Sequence, residues 1–205
     1  MARHTQRGHG HEELFARLLT VPGMVLLLMG LVTGCTVKNF ADLRPGLETR
    51  GSYIEGVPFY QESESICGPA ALAGVFDFRG SPEGLERIAG KIYRPKLRCA
   101  LPIDMEEYAR TMGFKAASHN GSLGELKAYI RKGMPVICLL DRGSGLNHEP
   151  QYINVIGYDD VNEVVIVHDG LAPNSLISYK KFNKGWVRAG YWMLVIEPKS
   201  GEARK

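Results

Sequence analysis

The chain has 205 residues, 44% hydrophobic and 23% charged, with 25 basic against 22 acidic side chains. Those proportions exclude a disordered, collagen-like or disulfide-scaffold protein and fit one domain large enough to bury a core. A net charge of +3 without a Lys/Arg run leaves no electrostatic footprint for nucleic acid, so no nucleic-acid partner is expected.

The N-terminal stretch carries Arg3, Arg7 and Arg17, followed by an apolar run from Leu18 to Gly34 and then Cys35. A basic flank, an apolar run and small residues before a cut site describe an export signal. Pro22 and Gly23 interrupt the run, which is shorter than the ~20 apolar residues of a spanning helix. The ending Leu31-Val-Thr-Gly-Cys35 resembles the bacterial lipobox. That resemblance implies cleavage before Cys35 and a lipid on its sulfur, hence residues 1–34 as signal peptide and a membrane partner through Cys35. With Thr36 next, a Gram-negative cell would sort the chain to the outer membrane, facing the periplasm. Residues 35–56 then read as a lipid-anchored tether, with Pro and Gly between Ala41 and Ser52, and residues 199–205 as a polar tail.

Helices come first in the remaining chain. Gly68 to Phe78 has no charge before Asp77, and Pro69 suits a first helical turn. A helix apolar all round is a buried one. Ser81-Pro82 opens a second, with Leu85, Ile88, Ala89 and Ile92 on one face. Asp104 and Glu107 start a third, striped by Met105, Tyr108, Ala109 and Met112. Ser122 and Glu125 form a capping box for a fourth, stopped by Gly133 and Pro135. The period then changes to strands over Val136–Leu140, Tyr152–Tyr158, Val164–His168 and Tyr191–Ile196, with a hairpin turn at 157–163. Trp186, Tyr191 and Trp192 read as core aromatics. Helices segregated before an antiparallel sheet predict an α+β architecture.

Cys67 stands directly before the buried helix, with Gln61 upstream. A Cys at a helix N-terminus meets the positive end of the macrodipole, which favours the thiolate. A thiolate is the nucleophile acyl transfer needs. A Gln amide can donate to the oxyanion beside the Cys67 N–H. The bland alternative is an inert core cysteine. Cys67, Cys99 and Cys138 are an odd set once Cys35 is assigned, so at least one thiol stays free; Cys99–Cys138 is one pairing the count allows.

The runs Val57-Pro-Phe-Tyr-Gln61 and Cys67-Gly-Pro-Ala-Ala-Leu72 resemble the bacteriocin-processing, double-glycine leader peptidases, a branch of the papain-like cysteine peptidases. The likeness continues through Tyr93–Arg98, Leu101–Asp104, Gly133–Ile137, Tyr152–Asp159 and Val165–Asp169. It is strongest to stand-alone bacterial lipoproteins of that type. It implies a papain-like peptidase domain over 57–198, with N-terminal helices packed on a C-terminal antiparallel sheet. Cys67 is then the nucleophile, Gln61 the oxyanion donor and Asp169 the residue orienting an imidazole. The substrate is a peptide or protein. Those enzymes are mostly fused to exporters, so their Gly-Gly substrates are not carried over.

The base departs from the pattern. The family's His stands directly before the aromatic of the Tyr152–Tyr158 strand, where this chain has Gln151. An amide has no useful proton affinity near neutrality. His148 lies three residues earlier, ~10 Å away if the strand continues, although Pro150 and Gly143-Ser-Gly145 suggest a loop that folds it back. His168 neighbours Asp169, and adjacent strand residues face opposite ways; His119 falls in an expected loop. His148 is therefore the leading candidate. Two functions stand open: an envelope-anchored cysteine peptidase, and a papain-like binding or scaffold lipoprotein that has lost its base. Neither a cofactor nor a metal is expected, since no His-Glu-x-x-His or Cys-x-x-Cys spacing occurs.

Overall fold

Alternation along two central strands decides the layering. The computed structural model describes residues 39–61 and 68–198; the signal segment, Cys35, Cys67 and the tail lie outside them. In β5 (Val136–Asp141) and β9 (Trp192–Glu197), Ile137, Leu194 and Ile196 point to one face, while Val136, Cys138, Leu140, Met193 and Val195 point to the other. A sheet apolar on both faces needs a cover on each.

The first face carries α3 (Pro69–Phe78), α4 (Leu85–Ile92) and α5 (Pro102–Thr111). Leu72, Val75 and Phe76 of α3 are fully buried there, each contributing ~1.5–3 kcal/mol by the area it removes from water. The second face is covered by α6 (Leu123–Arg131), through Leu126 and Ile130, and by α7 (Tyr179–Arg188), through Phe182 and Trp186. Ser122 caps α6 by accepting the Glu125 N–H, and Ser178 caps α7 by accepting that of Lys181.

The sheet has seven strands. Its main path runs β4 (Lys115–Asn120), β9, β5, β6 (Pro150–Asp159), β7 (Val164–His168) and β8 (Ser175–Ser178), and every pairing is antiparallel. A register shift near Ile156 bends β6. Beyond that point its edge is taken by β1 (Gly51–Tyr53). A small hairpin, β2 (Tyr93–Arg94) and β3 (Cys99–Ala100), sits between α4 and α5. The α+β, papain-like architecture expected from the sequence is the one present.

The expected tether is not one over its second half. α1 (Phe40–Leu43) and α2 (Leu47–Arg50) precede β1, and Leu43 and Leu47 are fully buried against the α6 and α7 face. Arg50 donates to the buried carboxylate of Asp159 at 3.0 Å. The domain therefore starts by Phe40. Two buried leucines and a strand pairing outweigh the turn-forming Pro45 and Gly46 that suggested a linker. The last predicted strand begins at Trp192, not Tyr191, which has φ +59°. Among the described residues, no helix is long and apolar enough to cross a membrane.

Leu47→Ala should cost ~2–5 kcal/mol in urea denaturation, the cost of a core truncation. A tether residue would cost under ~0.5 kcal/mol.

Candidate active site

Close packing fixes the head of α3. Gly68, at φ +113°, caps the helix, and a Cβ there would lie 3.0 Å from Ala100 Cβ, 3.1 Å from Met105 Sδ and 3.3 Å from the Tyr152 ring. Only glycine fits both the space and the backbone angle. Tyr152 donates from its hydroxyl to the Ala100 carbonyl at 3.1 Å, tying β3 to β6. Burial pushes its phenol pKa up, so it remains a neutral donor. Cys67, the residue before Gly68, is outside the described residues.

The segment leading to Gln61 is tied down along its length. The Val57 carbonyl accepts from His168 Nε2 at 2.9 Å, the Pro58 carbonyl passes over Gly74, and Tyr60 donates to Asp77 at 3.0 Å. A Cβ on Gly74 would approach the Pro58 oxygen to 2.8 Å, so this crossing requires glycine. Gln61 is exposed at the end of that segment.

The imidazoles are distributed as follows. Buried His168 accepts the Asn174 N–H at Nδ1, which places its proton on Nε2 and directs it to Val57. Both nitrogens are occupied, so His168 positions the Gln61 segment and cannot take a proton from a thiol. His119 bonds Glu125 at 2.7 Å on β4, a strand and not the expected loop. His148 Nδ1 meets Asp141 Oδ2 at 2.7 Å. Asp141 also accepts from the Gly143 and Glu149 N–H groups and from Arg188 of α7. Burial alone would raise the Asp141 pKa. Those donors, with the Glu149 N–H foremost and the Arg188 charge behind them, hold it well below the usual carboxylate range. Arg188 thereby ties the His148–Asp141 pair to α7. The Arg142 N–H reaches the Glu149 carbonyl at 2.9 Å, continuing the hairpin outward.

Gln151 and Asp169 are brought together. The Gln151 amide donates to the Asp169 carbonyl at 2.6 Å, and its own carbonyl oxygen is buried without a hydrogen-bond partner among the described residues. The Asp169 carboxylate accepts the Leu171 and Ala172 N–H groups and lies 3.9 Å from Arg142. It closes a turn and is bonded to no imidazole among the described residues. Cys138 is free and buried, with its thiol pKa raised by desolvation, whereas Cys99 is disulfide-bonded. The Cys99–Cys138 pairing is thereby excluded. No group of three or more His, Cys, Asp or Glu side chains among the described residues is placed to hold a metal.

Residues 54–193 match the model of the Peptidase_C39 like family. The chain belongs to this family. Its fold is similar to that of a Bacillus anthracis protein assigned as a C39-like peptidase, with TM-score 0.60 and 19% identity over 73% of this chain and 98% of that one. It is also similar to the peptidase domain of Streptococcus ComA, a bifunctional ABC transporter of a quorum-sensing pathway, with TM-score 0.56 and 23% identity over 69% and 97%. A double-glycine-motif protease from an AMS/PCAT transporter, solved with its leader peptide, gives TM-score 0.58 and 16% identity over 72% and 95%. None of the curated proteins matches this chain.

The sequence reading left Asp141 unnoticed. The signal was available: a hairpin from Val136 through Gly143-Ser-Gly145 sets Asp141 opposite Pro150, within reach of His148. Because the folded-state pKa of Asp141 is depressed, its contribution is full above the ordinary carboxylate pKa of ~3.9 and is lost as pH falls through the folded value. The stability difference between wild type and Asp141→Asn should be constant from pH 8 to 5 and shrink below about pH 4, read by denaturation across that range.

Proposed function

We propose that this chain is an envelope-anchored, C39-like cysteine peptidase with an incomplete triad, held to the membrane by lipidated Cys35 and working principally by capturing peptide. In this reading Cys67 at the head of α3 attacks a peptide carbonyl carbon. The oxyanion takes hydrogen bonds from the Cys67 N–H and the Gln61 side chain, and the leaving amine draws its proton from water. The thioester then awaits hydrolysis by water that no imidazole activates. One observation carries this: at the base's position stands Gln151, bonded to the Asp169 carbonyl, while the Asp169 carboxylate is spent on a turn.

A second reading keeps His148 as base. Its Nδ1 is held by the Asp141 carboxylate as in a working His–Asp pair, and its side chain is 73% exposed. In this reading Asp141, not Asp169, orients the ring.

A positioned general base contributes about 10²–10⁴-fold. Gln151→His should therefore raise hydrolysis of a random decapeptide pool by at least about tenfold, read by mass spectrometry of the reduced protein, and Cys67→Ala should abolish it. Activity in wild type that His148→Ala removes would favour the second reading.

A further inference from the structure

The α7 side of the molecule carries an excess of positive charge that the peptidase chemistry does not use. A cavity of about 320 Å³ opens there, with Leu140 and Ile177 in its lining and Arg142, Lys181, Lys184 and Arg188 around it. Asp141 is the one carboxylate in that lining, and it is already bonded by His148 and Arg188. Lys181, Lys184 and Arg188 fall at i, i+3 and i+7 of α7, on one helix face. The ammonium groups of Lys181 and Lys184, and of exposed Lys180 beside them, have no carboxylate partner among the described residues. Next to these cations stands Leu146, 98% exposed. Its position is built. The Asn147 N–H bonds the Ser144 carbonyl at 3.0 Å, and Arg188 donates to the carbonyls of Gly145 and Asn147 at 3.4 and 3.3 Å. Val187 of α7 adds a second exposed apolar side chain.

We infer that α7 and the 142–149 loop form a docking face for an anionic phospholipid bilayer, the cations meeting lipid phosphates and Leu146 entering the apolar layer beneath. A bilayer presents negative charge at its surface and hydrocarbon just below. That order matches unpaired cations beside a leucine that projects from a pinned loop. An acidic peptide seated in the cavity would satisfy the lysines and leave Leu146 in water, so the bilayer is the better occupant. Attachment of this kind grows with the apolar area buried and with attraction to anionic lipid, and the face supplies both. It also sets an orientation. α3 covers the opposite face of the sheet from α7, so a domain docked this way turns the head of α3 away from the lipid. The inference goes beyond the peptidase reading and uses neither Cys67 nor a lipid on Cys35.

The full-length chain carrying Leu146→Trp is mixed with vesicles of phosphatidylcholine alone, or of equal parts phosphatidylcholine and phosphatidylglycerol, and its tryptophan emission is recorded. Native Trp186 and Trp192 are buried, so the wild type supplies a constant background. With the anionic vesicles the introduced indole should shift to the blue and be quenched by bromine-labelled acyl chains. With phosphatidylcholine alone it should do neither. Raising the salt from ~0.1 M to ~1 M, which shortens the screening length from about 10 Å to about 3 Å, should reverse the shift. Lys181→Ala combined with Lys184→Ala should do the same, each lysine at an anionic surface being worth about fivefold in the docking equilibrium. Equal emission in the two vesicle types, or a shift that survives loss of both lysines, would overturn the inference. So would a blue shift produced by soluble oligoglutamate and not by anionic vesicles, which would make the occupant an acidic peptide. Hydrolysis is read in none of these arms, so failure here leaves the peptidase reading standing, and failure of that reading leaves this face untouched.

Discussion

The cleft depends on how tightly the head of α3 is packed. Gly68 is pressed between Ala100, Met105 and the Tyr152 ring, and Tyr152 spends its hydroxyl on the Ala100 carbonyl. A larger residue at 68 would push the helix N-terminus off the sheet, and with it the backbone donors that face any anion formed there. The opposite wall follows from the same logic. His168, Gly74 and Asp77 hold the 57–60 segment against α3 and the sheet, so Gln61 is presented from the end of a tied-down segment. Preorganised donors are the part of acyl-transfer machinery that packing alone can supply.

The proton acceptor is a different matter, because it needs an imidazole. The three described histidines near or beyond the site are each bonded: His168 to backbone on both nitrogens, His119 to Glu125, His148 to Asp141. Gln151 keeps the contact with residue 169 through the backbone carbonyl and leaves its own oxygen buried and unpaired. An unpaired buried acceptor costs roughly 1–3 kcal/mol. In the proposed reading the Cys67 thiol has no imidazole partner and depends on the helix terminus for its activation. A thiol activated in that way suits slow chemistry or capture.

Much of this was legible from residue order because the relevant signals are local. The all-apolar α3, the Ser122 cap of α6 and the β6–β7 hairpin follow from periodicity and turn chemistry. What stayed hidden was set by tertiary partners. Leu43 and Leu47 look like linker residues until β1 joins β6. β4 reads Lys-Ala-Ala-Ser-His-Asn, with only Ala116 buried, so its pairing with β9, not its own propensity, makes it a strand. α7 is strongly basic and buries only Phe182, Gly185 and Trp186, too narrow an apolar stripe to announce itself. The family resemblance implied Asp169 as an orienting carboxylate, and in the structure that carboxylate accepts the Leu171 and Ala172 N–H groups of the turn at Gly170. His148 finds Asp141 across a hairpin, a pairing that no linear spacing displays.

The most direct test of the central claim, that the Cys67 thiol has no imidazole partner, is the pH dependence of its alkylation by iodoacetamide in the reduced protein, compared with His148→Ala. The account predicts an apparent thiol pKa below the ~8.5 reference, set by the helix terminus and the same in both proteins. A wild-type value that His148→Ala moves back toward the reference would establish a working Cys–His pair and contradict the account.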